Sequence, residues 1–165
     1  MANTPAVGVS FYQCDISSVP QVRNVAARIR ENHGHPTMLI NNAGIGRVGT
    51  VLEKSEADIR AVFEVNILAH FWTVKEFVPD MVRKNHGHII TIASIASFVS
   101  TGEIVDYACS KAAALALHEG ITQELMYWHG AKKVHTRYTI FSCCDLPKAN
   151  CCLPVSFTHS GCVLR

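Results

Sequence analysis

Short apolar runs alternate with stretches of helical period along most of this chain, and that alternation constrains the fold more than any other feature. Met38-Leu39-Ile40 and His88-Ile89-Ile90-Thr91-Ile92-Ala93 read as strands. The first breaks at Asn41-Asn42-Ala43-Gly44; the second is introduced by Gly87 and closed by the Ser94 to Ser100 loop. Residues 7–14 read as an earlier strand ending at Asp15, and Val134 to Phe141 as a fourth. Between them, Val22, Val25, Ala26 and Ile29 recur at helical spacing behind a Ser17 or Ser18 cap, with Pro20 in the first turn and Gly34 as the stop. Ser55 caps a longer helix with Ile59, Val62, Phe63, Ile67, Phe71 and Val74 on its apolar side, and a kink or break is expected at Pro79. A further helix is expected from about Ile104 to Tyr127, marked by Ala108, Ala112, Leu115 and Ile121. Strand and helix in this order describe an α/β domain around a parallel sheet with right-handed crossovers.

Composition narrows the functional classes. With 165 residues, 48% of them hydrophobic, the chain has material for one core of ordinary size. A formal charge of +2 provides no basic face for nucleic acid. No apolar run approaches the roughly 18 residues of a membrane span, and Met1–Ser10 lacks the basic and apolar regions of a secretory signal, so the expected location is cytoplasmic. Five of the seven cysteines (Cys143, Cys144, Cys151, Cys152, Cys162) cluster after Arg137, where helical period is lost and charge is scarce. Their spacing, even with His159, does not match the two to four residues between paired zinc ligands, so no metal site is expected. Free thiols in a reducing compartment are the expectation.

The chemistry centres on Tyr107 and Lys111, four apart and therefore on one face of the last long helix. An ammonium beside a phenol favours the phenolate and lets the pair pass a proton to or from an alcohol oxygen; the same spacing also describes a solvated surface pair. Ser94 ends a buried strand, where ligand-facing groups of an open parallel sheet collect, although Ser97 and Ser100 fit an ordinary serine loop equally well. The small residues of Asn41-Asn42-Ala43-Gly44 let a flat ligand approach the backbone, and also make a good turn. Asn66 lies on or near the apolar side of its helix, where its amide needs a partner, as a satisfied core residue or as part of a site.

Asn41-Asn42-Ala43-Gly44, Asn66, Ser94 and Tyr107-x-x-x-Lys111, in this order and at these spacings, resemble the short-chain dehydrogenases/reductases over about residues 9–136. Phe71-Trp72-Thr73-Val74, Pro79-Asp80-Met81, Gly87-His88 and Asp106-Tyr107 further resemble the branch with retinol-type and 17-beta-hydroxysteroid-type dehydrogenases. The resemblance implies hydride transfer between NAD or NADP and a small hydrophobic alcohol or carbonyl compound. Tyr107 would be the acid/base, and Lys111 would assist it and hold the nicotinamide ribose. Ser94 would orient the substrate oxygen, and Asn66 a water of the proton relay. Asp15 would contact the adenine; Asn42, Ala43 and Gly44 would line the cofactor. A homodimer through the two long helices, with Phe63, Ile67, Phe71, Leu115 and Leu117 on their faces, is implied as well. Relatives in this branch are often anchored to endoplasmic reticulum or lipid droplets.

The same resemblance implies a Rossmann-like three-layer parallel sheet that is incomplete, carrying strands 3 to 6 of the family order. No glycine-rich pyrophosphate turn stands before Gly44, and the residue that selects NAD from NADP has no counterpart. Residues 1–137 are therefore expected to form a partial family domain, in which the Met38–Ile40 strand exposes an apolar edge, and 138–165 a non-family cysteine-rich tail. The alternative expectation is a catalytically silent fragment acting at most through association.

Overall fold

The computed structural model describes residues 8–141, 156–158 and 161–164, the last two segments and Phe141 by their backbone alone. Cys143, Cys144, Cys151, Cys152 and His159 lie outside the described residues, as does the side chain of Cys162, so the metal reading of the tail rests on its spacing. The elements are α1 (Val19–His33), β1 (Met38–Asn41), α2 (Glu56–Phe63), a π-turn (Glu64–Leu68), α3 (Ala69–Lys84), β2 (Gly87–Ser94), a 3-10 turn (Ile95–Ser97), α4 (Val105–Gln123), a second π-turn (Glu124–Trp128), β3 (Val134–Phe141), β4 (Ser156–Thr158) and β5 (Gly161–Leu164).

Among the described residues the sheet runs β3-β2-β1-β5-β4. β1 pairs in parallel with β2 on one side and β5 on the other, β2 pairs in parallel with β3, and only β4 is antiparallel. This is a Rossmann-like α/β arrangement. β1 and β2 are apolar because helices cover them: Leu39 and Ile89 are buried in one cluster with Val25, Ala26 and Ile29 of α1 and Phe77, Val78 and Met81 of α3. Burying a side chain such as Ile29 contributes about 1.5–3 kcal/mol. An Arg30–Glu76 contact, at 3.1 Å to the carbonyl and 3.3 Å to the carboxylate, ties α1 to α3 at the rim.

α1 matches its sequence pattern, with Val22, Val25, Ala26 and Ile29 buried and Gly34 ending it at φ 76°. Five expectations need correction. Residues 8–14 pair with no strand, because β2 and β5 occupy both edges of β1; the segment is instead held by the buried side chains of Tyr12 and Ile16, with the Tyr12 hydroxyl 3.1 Å from Asn32 Nδ2 and His33 Nε2. For the same reason the edge of β1 is not exposed: its unpaired amides and carbonyls are taken by β5. Pro79 does not end α3, which continues to Lys84. Proline costs the one bond that its N–H would make, while the buried Phe77, Val78, Asp80 and Met81 around it keep the helix packed. Phe71 is exposed rather than on the buried side, because the wide π-turn at Glu64–Leu68 rotates everything after it relative to α2. On α4, Ala108 and Leu115 are buried but Ala112 is exposed.

No helix among the described residues is long and apolar enough to cross a membrane. At the opposite end of the sheet from the strand C-termini, Gly87 is buried against Met81, and a Cβ built there would stand 2.7 Å from both Cγ and Sδ of Met81 and 2.9 Å from its Cβ. Gly87→Ala should therefore overpack the core and lower stability by about 1–3 kcal/mol, read as a lower urea midpoint at unchanged slope.

Candidate active site

The residues singled out in the sequence converge where β1 and β2 end. Asn41, the last residue of β1, is buried, and its Oδ1 accepts a 2.8 Å hydrogen bond from Thr73 Oγ1 on α3. The chain then turns through Asn42, Ala43 and Gly44. Asn66, wholly buried in the π-turn, holds that turn: its Oδ1 accepts from the Ile45 amide at 2.8 Å and its Nδ2 donates to the Ile45 carbonyl at 2.9 Å. The same Nδ2 also lies 2.9 Å from Ser110 Oγ on α4, whose hydroxyl donates to the Tyr107 carbonyl at 2.7 Å. Asn66 thus joins the β1 turn to the helix that carries Tyr107 and Lys111.

Lys111 is buried, and its Nζ donates to the Ile92 carbonyl of β2 at 2.9 Å. The ammonium stands 5.9 Å from the centre of the Tyr107 ring. Gly44 fits between these groups because it has no side chain: a Cβ there would meet Lys111 Nζ at 3.3 Å and Asn66 Oδ1 at 3.5 Å. Gly46 lies against Tyr107, where a Cβ would meet Cδ2 of the ring at 3.2 Å. Ser94 is buried at the end of β2. Its Oγ accepts from the Ala96 amide, while the hydroxyl of Ser97 accepts from the Ser94 amide and donates to the Lys111 carbonyl at 3.1 Å. Of the three serines, Ser94 closes the strand, Ser97 staples that end to α4, and Ser100 is exposed.

Asp15 sits on the surface, accepting from the Ser17 amide at 3.0 Å and its hydroxyl at 2.7 Å. Its neighbour Ile16 packs in one cluster with Ala43, which brings the segment to the β1 turn. The turn's small residues, the bare backbone at Gly44 and the Lys111 ammonium beside it fit a flat, anionic cofactor laid across the strand ends. Ile67 and Leu115 of the expected dimer face are buried within the chain, Phe63 and Leu117 are half-buried and Phe71 is exposed.

The site also holds groups that sequence reasoning passed over. His70, one turn beyond Asn66, is buried with neither ring nitrogen hydrogen-bonded among the described residues. Burial first, and then the Lys111 ammonium, push its pKa down to about 3, against a weaker pull from the Ala43 backbone. Asn66, His70 and Thr73 at helical spacing on an apolar helix are the signal that marked this polar stripe. Lys54, on the loop after β1, forms a buried ion pair with Asp106. No local pattern announced that pair.

The short chain dehydrogenase family matches residues 2–135 of this chain. Dehydrogenase RED3 of Cochliobolus heterostrophus is 51% identical over 128 residues, covering 78% of this chain and 65% of that protein. Estradiol 17-beta-dehydrogenase 11 of Macaca fascicularis is 39% identical over 126 residues, 75% of this chain and 42% of the relative. The chain thus spans less than two thirds of either curated relative. A short chain dehydrogenase/reductase from Burkholderia phymatum, solved in complex with NAD, superposes with a TM-score of 0.75 at 31% identity over 79% of this chain and 46% of that one.

Two outcomes follow from the polar core. Asn66→Ala strands both polar groups of Ile45 and one contact of Ser110, and should cost about 2–4 kcal/mol in denaturant unfolding, with faster hydrogen exchange at the Ile45 amide. His70, with a folded pKa near 3 and an unfolded one near the usual 6.5, binds its proton only on unfolding in the window between them. Its contribution is therefore complete above about pH 6.5 and lost as pH falls toward 3, by up to about 1.4 kcal/mol per pH unit. His70→Gln should flatten the pH dependence of the unfolding free energy between pH 6.5 and 5.

Proposed function

The chain belongs to the short-chain dehydrogenase family, and from that premise we propose that it interconverts an alcohol and a carbonyl on a small hydrophobic substrate, using NAD or NADP. The observation that carries this reading is the convergence of Gly44, Asn66, Tyr107 and Lys111 at one end of the sheet. A bound nicotinamide supplies or accepts the hydride. Asn42, Ala43, Gly44 and Lys111 hold it, and Asp15 meets its adenosine end. Tyr107 takes a proton from the alcohol oxygen in oxidation and returns one to the carbonyl oxygen in reduction. Lys111 stabilises the negative charge that the phenol carries between those events. Ser94 orients the substrate oxygen, and Asn66 holds the relay water and keeps the turn and α4 in register.

Hydrophobic substrate preference is supported by the two loops beside Tyr107 and Ser94. Val48, Val51 and Leu52 follow Gly46, and Ile95, Phe98 and Val99 follow Ser94, and all six are exposed. A homodimer through the long helices would centre on Phe71, with Phe63 and Leu117 at its margin.

Titration with NADH and NADPH should give saturable fluorescence quenching. Its absence with both would remove the proposed activity and leave family membership intact. Tyr107→Phe should lower turnover by a factor of about 100 or more while leaving the cofactor Kd within a few fold; retained turnover would refute the acid/base role.

A further inference from the structure

We propose that the buried Lys54–Asp106 ion pair is a positioning and charge-balancing device for Tyr107: it clamps the loop between β1 and α2 onto the start of α4 and cancels the carboxylate of the residue that precedes Tyr107. The inference rests on the reading of Tyr107 as the acid/base, and its test is independent of cofactor.

Both side chains of the pair are only 5% exposed, and they come from residues 52 apart in sequence, so helix-surface pairing does not explain them. A buried ion pair repays its desolvation poorly compared with two apolar side chains, which makes it weak as a device for stability alone. Its surroundings supply a further role. Asp106 immediately precedes Tyr107 in the first turn of α4. The loop that carries Lys54 touches the same turn at three places. Gly46 lies against the Tyr107 ring, the Gly49 amide donates to the Glu103 carbonyl at 2.9 Å, and Lys54 reaches Asp106. The Lys54 stem runs past Gly49, where a Cβ would stand 3.5 Å from its Cγ and Cε.

The charge argument follows from Asp106. One of its carboxylate oxygens meets Lys54; the other is buried without a hydrogen-bond partner among the described residues. Lys54 is therefore the cation that balances this carboxylate. Among the described residues the ionisable groups around Tyr107 include Lys111 on α4, Glu103 before it, the Arg47–Asp58 ion pair at the far side of the loop, and the neutral His70 of α3. With Lys54 in place the pair adds no net charge to the field that Lys111 exerts on the phenol. Without Lys54 a buried negative charge is left on the residue before Tyr107 and opposes ionisation of the phenol through space; without the Asp106 charge an extra cation assists it.

The two single variants should consequently move the Tyr107 titration in opposite directions. The full chain labelled with 13Cζ-tyrosine and free of cofactor reports the midpoint by NMR, the resonance being identified by its loss in Tyr107→Phe. Lys54→Met should raise the midpoint and Asp106→Asn should lower it, each by about half a pH unit or more, and the double variant should return close to the parent value. Were the pair merely structural, melting temperatures would change and the midpoints would not. Unmoved midpoints, or two shifts of the same sign, would overturn the proposal. If Lys54→Met does not fold, Asp106→Asn decides alone, and an unchanged or raised midpoint refutes it. Where turnover is measurable, the pH–rate profile should move with the midpoints. Opposite shifts in a chain that binds neither NADH nor NADPH would keep this proposal and defeat the proposed activity.

Discussion

One side-chain amide holds the candidate site together. Asn66 spends three hydrogen bonds on two neighbours, gripping the Ile45 peptide on both sides and reaching Ser110 at the same time. The π-turn around it supplies the geometry, since a widened turn sets a side chain where regular helix would not and leaves the helix free to resume in a new rotation. Ser110 then passes the constraint to the Tyr107 carbonyl, and Lys111 passes another to β2. The turn after β1, the phenol and the ammonium are thereby fixed relative to one another through buried polar contacts, which lose much if half-satisfied and so favour one arrangement.

These contacts divide the molecule into two ends. Where β1 and β2 terminate, the interior is polar: Asn41, Asn66, His70, Thr73, Ser94, Ser110 and Lys111 are all buried there. Toward the start of the strands it is aliphatic, with Leu39, Ile89, Met81 and Ile29 in contact and Gly87 pressed on Met81. Asn85, in left-handed conformation at the end of α3, caps this apolar end and accepts from the Lys133 amide at 2.9 Å. One end carries the packing on which the fold stands and the other carries the polar groups of the candidate site.

Much of this was legible in the chain. The period of α1, the apolar runs of β1 and β2 and the spacing of Tyr107 and Lys111 are local signals, and local signals survive folding. Phe71 was misread because a helical period assumes constant rotation, and the π-turn before it breaks that rotation. The segment before α1 was misread as a strand because an apolar sequence states a preference for extension, not which edge remains available; that depended on residues 161–164. Among the candidate site residues, Tyr107 and Lys111 are marked by their spacing, Asn66 by an amide on an apolar helix side, and Ser94 by its place at the end of a buried strand. The Lys54–Asp106 pair escaped notice because Asp106 is marked in the sequence only alongside Tyr107, and Lys54 is an ordinary charged residue until the loop closes.

The position of β1 also has a consequence in time. Its neighbours are β2, near the middle of the chain, and β5, separated from it by most of the sequence. A pairing of that separation carries a large loop-closure cost, met only when most of the chain is available. During synthesis the ladder of β1 and β2 can form early, yet the other edge of β1 has no partner until residues 161–164 leave the ribosome. For that interval the nascent chain holds an unpaired apolar strand edge at its centre, the stage at which a chaperone has something to bind.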